Sequence, residues 1–181
     1  AKLIFTPSAN TKVVHCYKGE KFVVYKKTSS QFTEEKSVIN AKGSTQSGGS
    51  VSCLALDVLI QFGCDPIFLT GQDLSFPSSR TYSSFSNNNK QMLDKLDSTY
   101  SLKGSHKSDS IRQKTVNVKN IVGDNVVTNQ AMYSYIRGIE EIAAVNPKIK
   151  IYNLCSHGAK IDKVIPLGSI NELMKFLTYH S

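Results

Sequence analysis

Gly63-Cys64-Asp65-Pro66-Ile67-Phe68-Leu69-Thr70-Gly71-Gln72-Asp73-Leu74 is the stretch whose reading decides the fold. Ile67, Phe68 and Leu69 are apolar without alternation, the pattern of a strand covered on both faces in a parallel sheet. Immediately upstream, Val51, Leu54, Ala55, Val58, Leu59 and Phe62 recur at helical spacing, which predicts a helix with that stripe turned to the core. Gly63 follows its last residue and is suited to the left-handed position that ends a helix. Helix, turn, buried strand and a polar Gly-Gln-Asp exit form the repeating unit of an open α/β sheet.

Working outward, the same alternation continues. Thr115–Val118 and Val126–Val127 read as strands paired about the turn Gly123-Asp124-Asn125. Thr128 or Asn129 caps a helix in which Met132, Ile136, Ile139 and Ala143 share a face, ending at Asn146-Pro147. Ile149–Leu154 is a strand, Ser156-His157-Gly158 a loop, and Ile170, Leu173, Met174 and Leu177 mark a last helix after Gly168-Ser169. Towards the N-terminus, Lys2–Thr6 is a strand, and Lys12–Tyr17 with Lys21–Lys26 is expected to form a β-hairpin around Lys18-Gly19-Glu20. Residues 77–114 are rich in Ser, Asn and Lys, with one helical stretch at Lys90–Leu96, and read as a polar insertion or lid. The expected architecture is a single α/β domain over residues 1–181. It is Rossmann-like, with a mostly parallel sheet, flanking helices and an incomplete N-terminal half, as in a piece excised from a longer chain.

Composition narrows the function classes. The net charge of +8 comes from 22 Lys and Arg against 14 Asp and Glu, and the only arginines are Arg80, Arg112 and Arg137. Reading guanine or gripping phosphate in two-pronged fashion favours Arg, so a scattered lysine surplus argues against a nucleic-acid reader. Cys16, Cys53, Cys64 and Cys155 lack the spacing of a zinc or redox motif and read as small buried hydrophobes. No apolar run is long enough to span a membrane and no signal peptide is visible, which makes a cytoplasmic protein the expectation.

In such a sheet a ligand meets the loops that leave the carboxyl ends of the strands. Three loops qualify. Ser47-Gly48-Gly49-Ser50 opens the first long helix; its glycines let a ligand approach the backbone, and helix-start amides attract an anion, although an ordinary capped helix start explains the same residues. Gly71-Gln72-Asp73 leaves the decisive strand. Asp73 can accept from a sugar hydroxyl or hold a magnesium ion, and Gln72 can read a base or sugar edge, against the plainer reading of an Asx turn. The third loop runs from Asn153 through His157, Gly158 and Ala159 to Lys160; Asn153 is polar where the core pattern asks for an apolar residue, and a buried amide tying two loops together accounts for it equally well. Among the histidines, His157 and His106 are candidates for proton transfer, while His15 and His180 are assigned to packing or surface. No metal site is expected.

The run Ser47 to Val51, the block Gly63 to Leu74, and Asn153 with Gly158-Ala159-Lys160-Ile161 together resemble the motility accessory factor (Maf) and MptE-like family, in order and spacing from about Leu3 to Ile161. That resemblance implies a transferase. Maf proteins move a nonulosonic, sialic-like acid from a CMP-activated donor to Ser or Thr of flagellin, on a core similar to that of bacterial sialyltransferases, with no cofactor required. Archaeal MptE relatives instead transfer pyrophosphate from ATP, with Mg²⁺, to a hydroxymethyl-dihydropterin. A non-catalytic binding module is the third reading, and the oligomeric state is left open.

Loop position and the resemblance together assign Gly48, Gly49, Ser50, Gly71, Gln72, Asn153, Gly158 and Ala159 to nucleotide-sugar binding and Asp73 to catalysis, with His157, on a ligand-facing loop, and Asp124 as further catalytic candidates. The sequence departs from the family in residues 77–114, which are richer in Ser and Asn and lack the histidine-glycine pair often found after Gly-Gln-Asp-Leu, and at two further points. A Gly-Pro-Ser phosphate loop expected at the opening of the fold does not occur in these 181 residues. The histidine that serves as base in the sialyltransferase-like enzymes is absent from the corresponding segment Gly123–Thr128, where Asp124 is the substitute and a plain turn aspartate the alternative.

Overall fold

The structure, a computed structural model, describes residues 1–26, 44–46, 49–76, 115–155 and 157–178. The expected lid at 77–114, with Lys90–Leu96 and His106, lies outside the described residues, as does Gly48.

The chain is α/β, with parallel strands flanked by helices. Strands β3 (Ile67–Thr70), β6 (Ile151–Leu154) and β7 (Ile165–Leu167) form a parallel sheet in the order β3-β6-β7, with Ile67 opposite Ile151 and Leu69 opposite Asn153. Alternation along a strand sends Ile67, Leu69, Ile151 and Asn153 to one face and Phe68 and Tyr152 to the other. The first face packs against α2 (Val51–Gln61) and α3 (Gln130–Val145), and a core forms from Cys53, Leu56, Ile67, Leu69, Ile139, Ile142 and Ile151. On the second face Phe68 stacks on Tyr152 with ring centroids 5.1 Å apart, and Phe176 of α4 (Ile170–Thr178) closes on both rings. Both faces are therefore covered, as the unbroken apolar run of β3 requires.

Local signals set the element ends. Asn129 caps α3 by accepting from the amide of Met132 at 2.8 Å, and Ser50 caps α2 by accepting from the amide of Cys53 at 3.1 Å. At the other end of α2, Gly63 adopts φ +77°, the Cys64 amide donates to Leu59 O and the Gly63 amide to Ile60 O, the paired bonds of a Schellman close. Strands β4 (Thr115–Lys119) and β5 (Asn125–Asn129) form the expected antiparallel hairpin.

Three expectations are corrected. The N-terminal hairpin does not form: β1 (Leu3–Phe5) and β2 (Lys21–Val23) pair in parallel, connected by a short helix α1 (Thr11–Cys16). Asn10 accepts from the Lys12 amide and starts that helix, which overrides the strand preference of Val13 and Val14. The stripe of α2 is also misassigned, since Val51 and Phe62 are 80% and 69% exposed while Cys53, Leu56, Asp57 and Val58 are buried. This helix is apolar around most of its circumference, so spacing alone permits two stripes, and contact with α3 selects the one carrying Cys53 and Leu56. Finally, β7 was not expected, because three residues containing Pro166 give little strand signal.

The N-terminal unit is joined to α2 by polar contacts. Asp57 is buried and its Oδ2 accepts from the Gln46 amide at 2.9 Å and from Gln61 Nε2 at 2.7 Å, while Thr45 donates its amide to Tyr25 O.

Candidate functional site

In-register parallel pairing of β3 and β6 makes Thr70 and Leu154 neighbours, so the loops that follow them leave the sheet side by side. Gly71 turns the first loop with φ +69° and open space where a β-carbon would stand. The second loop folds back on the first. The Ala159 amide donates to Asp73 O at 2.7 Å, Asn153 Nδ2 donates to Gln72 O at 3.1 Å, and the Cys155 thiol lies 3.2 Å from Asp73 Oδ1. Gly158 packs so closely that an added β-carbon would stand 2.4 Å from Cys155 Sγ and 2.6 Å from both Cα and O of Asp73. Gly71, Gln72, Asp73, Asn153, Gly158 and Ala159 thus belong to one cluster, with Asp73 exposed at its surface.

The roles within the cluster differ. Asn153 is 3% exposed and binds the two loops through its amide nitrogen, while among the described residues its Oδ1 and the buried Ser75 Oγ have no hydrogen-bond partner. A buried acceptor left unsatisfied costs about 1–3 kcal/mol, so neither oxygen adds to stability as placed. The amides of Gly158 and Ala159 point inward, to Cys155 Sγ at 3.0 Å and to Asp73 O, so these residues shape the rim.

The hairpin closes one flank. Thr128, fully buried, donates to Leu74 O at 2.8 Å, Phe76 donates its amide to Val127 O, and Asn120 bridges to Ala159. Asp124 lies in the hairpin turn, exposed, with its amide held by Asn120 Oδ1 at 2.8 Å, while the adjacent Ile121 amide donates to Gly158 O. This brings the Asp124 turn against the Gly158 loop. His157 is exposed on that same loop. Gly49 and Ser50 stand at the start of α2, where a β-carbon on Gly49 would lie 3.4 Å from the Tyr135 ring of α3 and Cys53 Sγ reaches Tyr135 O at 3.7 Å. They neighbour the first turns of α3, whose N-cap follows directly on Thr128.

Cys155 and Thr128 were missed by sequence reasoning. Cys155 sits in an apolar run and reads as a core residue, yet its sulfur accepts from Gly158 N and its thiol faces a carboxylate. Burial, and then the neighbouring Asp73, push this thiol up to about 11. The Cys53 thiol is raised as well, mainly by burial. Among the described residues no group of three or more His, Cys, Asp and Glu is arranged to hold a metal ion, and no helix is long and apolar enough to cross a membrane. A separate apolar cavity of about 510 Å³ lies between β1–β2 and α2, walled by Ile4, Phe22, Val23, Val58 and Phe62.

No curated protein and no solved structure matches the chain. Residues 1–79, from β1 through the Gly71-Gln72-Asp73-Leu74 loop, match the family described as 6-hydroxymethylpterin diphosphokinase MptE-like.

Proposed function

We propose that the protein is a nucleotide-dependent transferase that holds an activated nucleotide at the carboxyl ends of β3 and β6. The observation that carries this reading is the exposed carboxylate of Asp73, fixed where two strand-exit loops lock together on neighbouring parallel strands, the place where open α/β sheets bind ligands. The reaction we favour is transfer of a nonulosonic acid from a CMP-activated donor to a hydroxyl, with Ser or Thr of flagellin as the acceptor that the family resemblance implies.

In that reaction the acceptor oxygen bonds to the anomeric carbon as the bond from that carbon to the phosphate oxygen breaks, and CMP leaves with the electron pair. Asp73 accepts hydroxyls of the nucleotide ribose or the sugar and fixes the donor's orientation. The first amides of α2, at Val51 and Ser52, have no carbonyl one turn earlier in the helix and can stabilise the charge gathering on the leaving phosphate. Asp124, on the turn that abuts Gly158, receives the acceptor's proton, and His157 on the neighbouring loop is the second candidate for that role.

The family description favours a second reading, pyrophosphate transfer from ATP to a hydroxymethyl pterin. There Asp73 is the one carboxylate that the cluster, among the described residues, offers to Mg²⁺, with one oxygen already facing Cys155. Thermal unfolding in the presence of each nucleotide separates the two. CMP is expected to raise the midpoint more than ATP with Mg²⁺, and Asp73→Ala is expected to remove that gain. Equal or greater protection by ATP with Mg²⁺, together with pterin turnover, selects the kinase reading.

A further inference from the structure

The cluster contains a group that neither transfer reaction uses. Cys155 is anchored by its amide to Leu167 O of β7 at 3.1 Å, and its sulfur is surrounded by polar contacts: Gly158 N at 3.0 Å on one side and Asp73 Oδ1 at 3.2 Å on the other. A buried cysteine used only for packing has no need of a carboxylate neighbour. The same loop also holds the backbone of this aspartate, through the Ala159 amide on its carbonyl and through the close packing of Gly158, where an added β-carbon would stand 2.6 Å from the Asp73 Cα. The backbone of Asp73 is thereby pinned, but its side chain would still rotate about χ1 and χ2 without a partner at the carboxylate. Among the described residues the Cys155 thiol supplies one, 3.2 Å from Oδ1.

We propose that Cys155 is a positioning residue whose thiol donates its proton to Asp73 Oδ1, orienting the carboxylate so that its second oxygen faces the ligand. The Gly158 amide, donating to the sulfur, aligns the thiol so that its hydrogen points at Asp73. With its pKa pushed up to about 11, the thiol stays protonated at neutral pH and therefore remains a donor. The proposal deepens the reading of Asp73 as the ligand-facing carboxylate and rests on that reading for its functional consequence, while the bond itself is testable without any ligand.

The test has two arms. In the first, infrared difference spectroscopy compares wild type with Asp73→Ala. The account expects the S–H stretch of a buried cysteine to lie below that of the exposed Cys16 and to move upward when the carboxylate is removed. An S–H band unchanged in a folded Asp73→Ala variant overturns the proposal. In the second arm, calorimetry with CMP compares Cys155→Ala with Cys155→Ser. Because a serine hydroxyl also donates, Cys155→Ser is expected to stay within about threefold of wild type, whereas Cys155→Ala loses roughly tenfold, about 1.4 kcal/mol. In urea unfolding, which Asp73→Ala still permits, adding Cys155→Ala to Asp73→Ala is expected to cost less than Cys155→Ala costs in the wild type, the signature of two residues acting through one contact. Equal loss in the alanine and serine variants, or an additive double variant, counts against positioning. If wild type binds no CMP, the reading of the site fails, and the infrared result still decides whether the thiol holds the aspartate.

Discussion

At the scale of single residues, Gly158 and Gly71 separate two uses of glycine in one site. A methyl group on Gly158 would stand within 2.6 Å of the Asp73 backbone, which cannot move aside without pulling apart the loops, whereas a methyl on Gly71 meets nothing within 4 Å and encounters only the penalty of its φ of +69°. Gly158→Ala is therefore expected to destabilise by about 3 kcal/mol and Gly71→Ala by about 1 kcal/mol, measurable as shifts in urea midpoint. Similar losses in both would remove the packing argument.

Cys155 gives a pH prediction. A thiol of ordinary pKa 9.0 when unfolded and about 11 when folded holds its proton longer in the native state, so its contribution is complete below pH 9 and lost as pH rises from 9 to 11. Cys53 is raised in the same direction. Cys155→Ser should lessen the alkaline fall in unfolding free energy over that window, by up to about 2 kcal/mol, and an unchanged alkaline limb would contradict it. Residue identity made part of this site legible in advance. An aspartate after a buried strand and an asparagine inside one stand out against the apolar pattern around them. Cys155 does not, because cysteine suits a core, and only the contact across 82 positions with Asp73 distinguishes it.

At the scale of elements, the legible pieces are those whose apolar period and end signals agree. α3 shows this, with the Asn129 cap, a buried face at Ile136, Ile139 and Ala143, and a stop at Asn146-Pro147. In α2 the period was ambiguous, because apolar residues on several sides leave the choice of face to the partner helix. α1 failed for a different reason: six residues with two valines have strand propensity, and a capping asparagine with a parallel β1–β2 pairing decides otherwise. α4 earns its place through one ring, since Phe176 covers the face of the sheet formed by Phe68 and Tyr152. Phe176→Ala is expected to cost about 2–3 kcal/mol and to increase amide exchange in β3 and β6, read by hydrogen exchange. Loss of protection confined to the α4 end would mean that this helix is peripheral to the sheet.

At the scale of the molecule, alternation of buried strands and helices was enough to give an α/β fold with parallel strands, and the rule that ligands meet strand exits singled out two loops, after β3 and β6, that the fold holds against each other. What sequence order cannot give is how the second loop wraps the first, because those contacts join positions about eighty apart. The family match ends at residue 79, after Asp73 and before Asn153 and Gly158, so the inclusion of the β6 loop in the site rests on geometry. The most direct test is a map of backbone amide shifts as CMP is titrated into the ¹⁵N-labelled protein. The account predicts that the changes concentrate at Gly71–Leu74, at His157–Ala159 and at the first amides of α2, and that Asp73→Ala abolishes them; changes centred on the cavity beside Phe22 and Phe62, with the β3 and β6 loops silent, would contradict it.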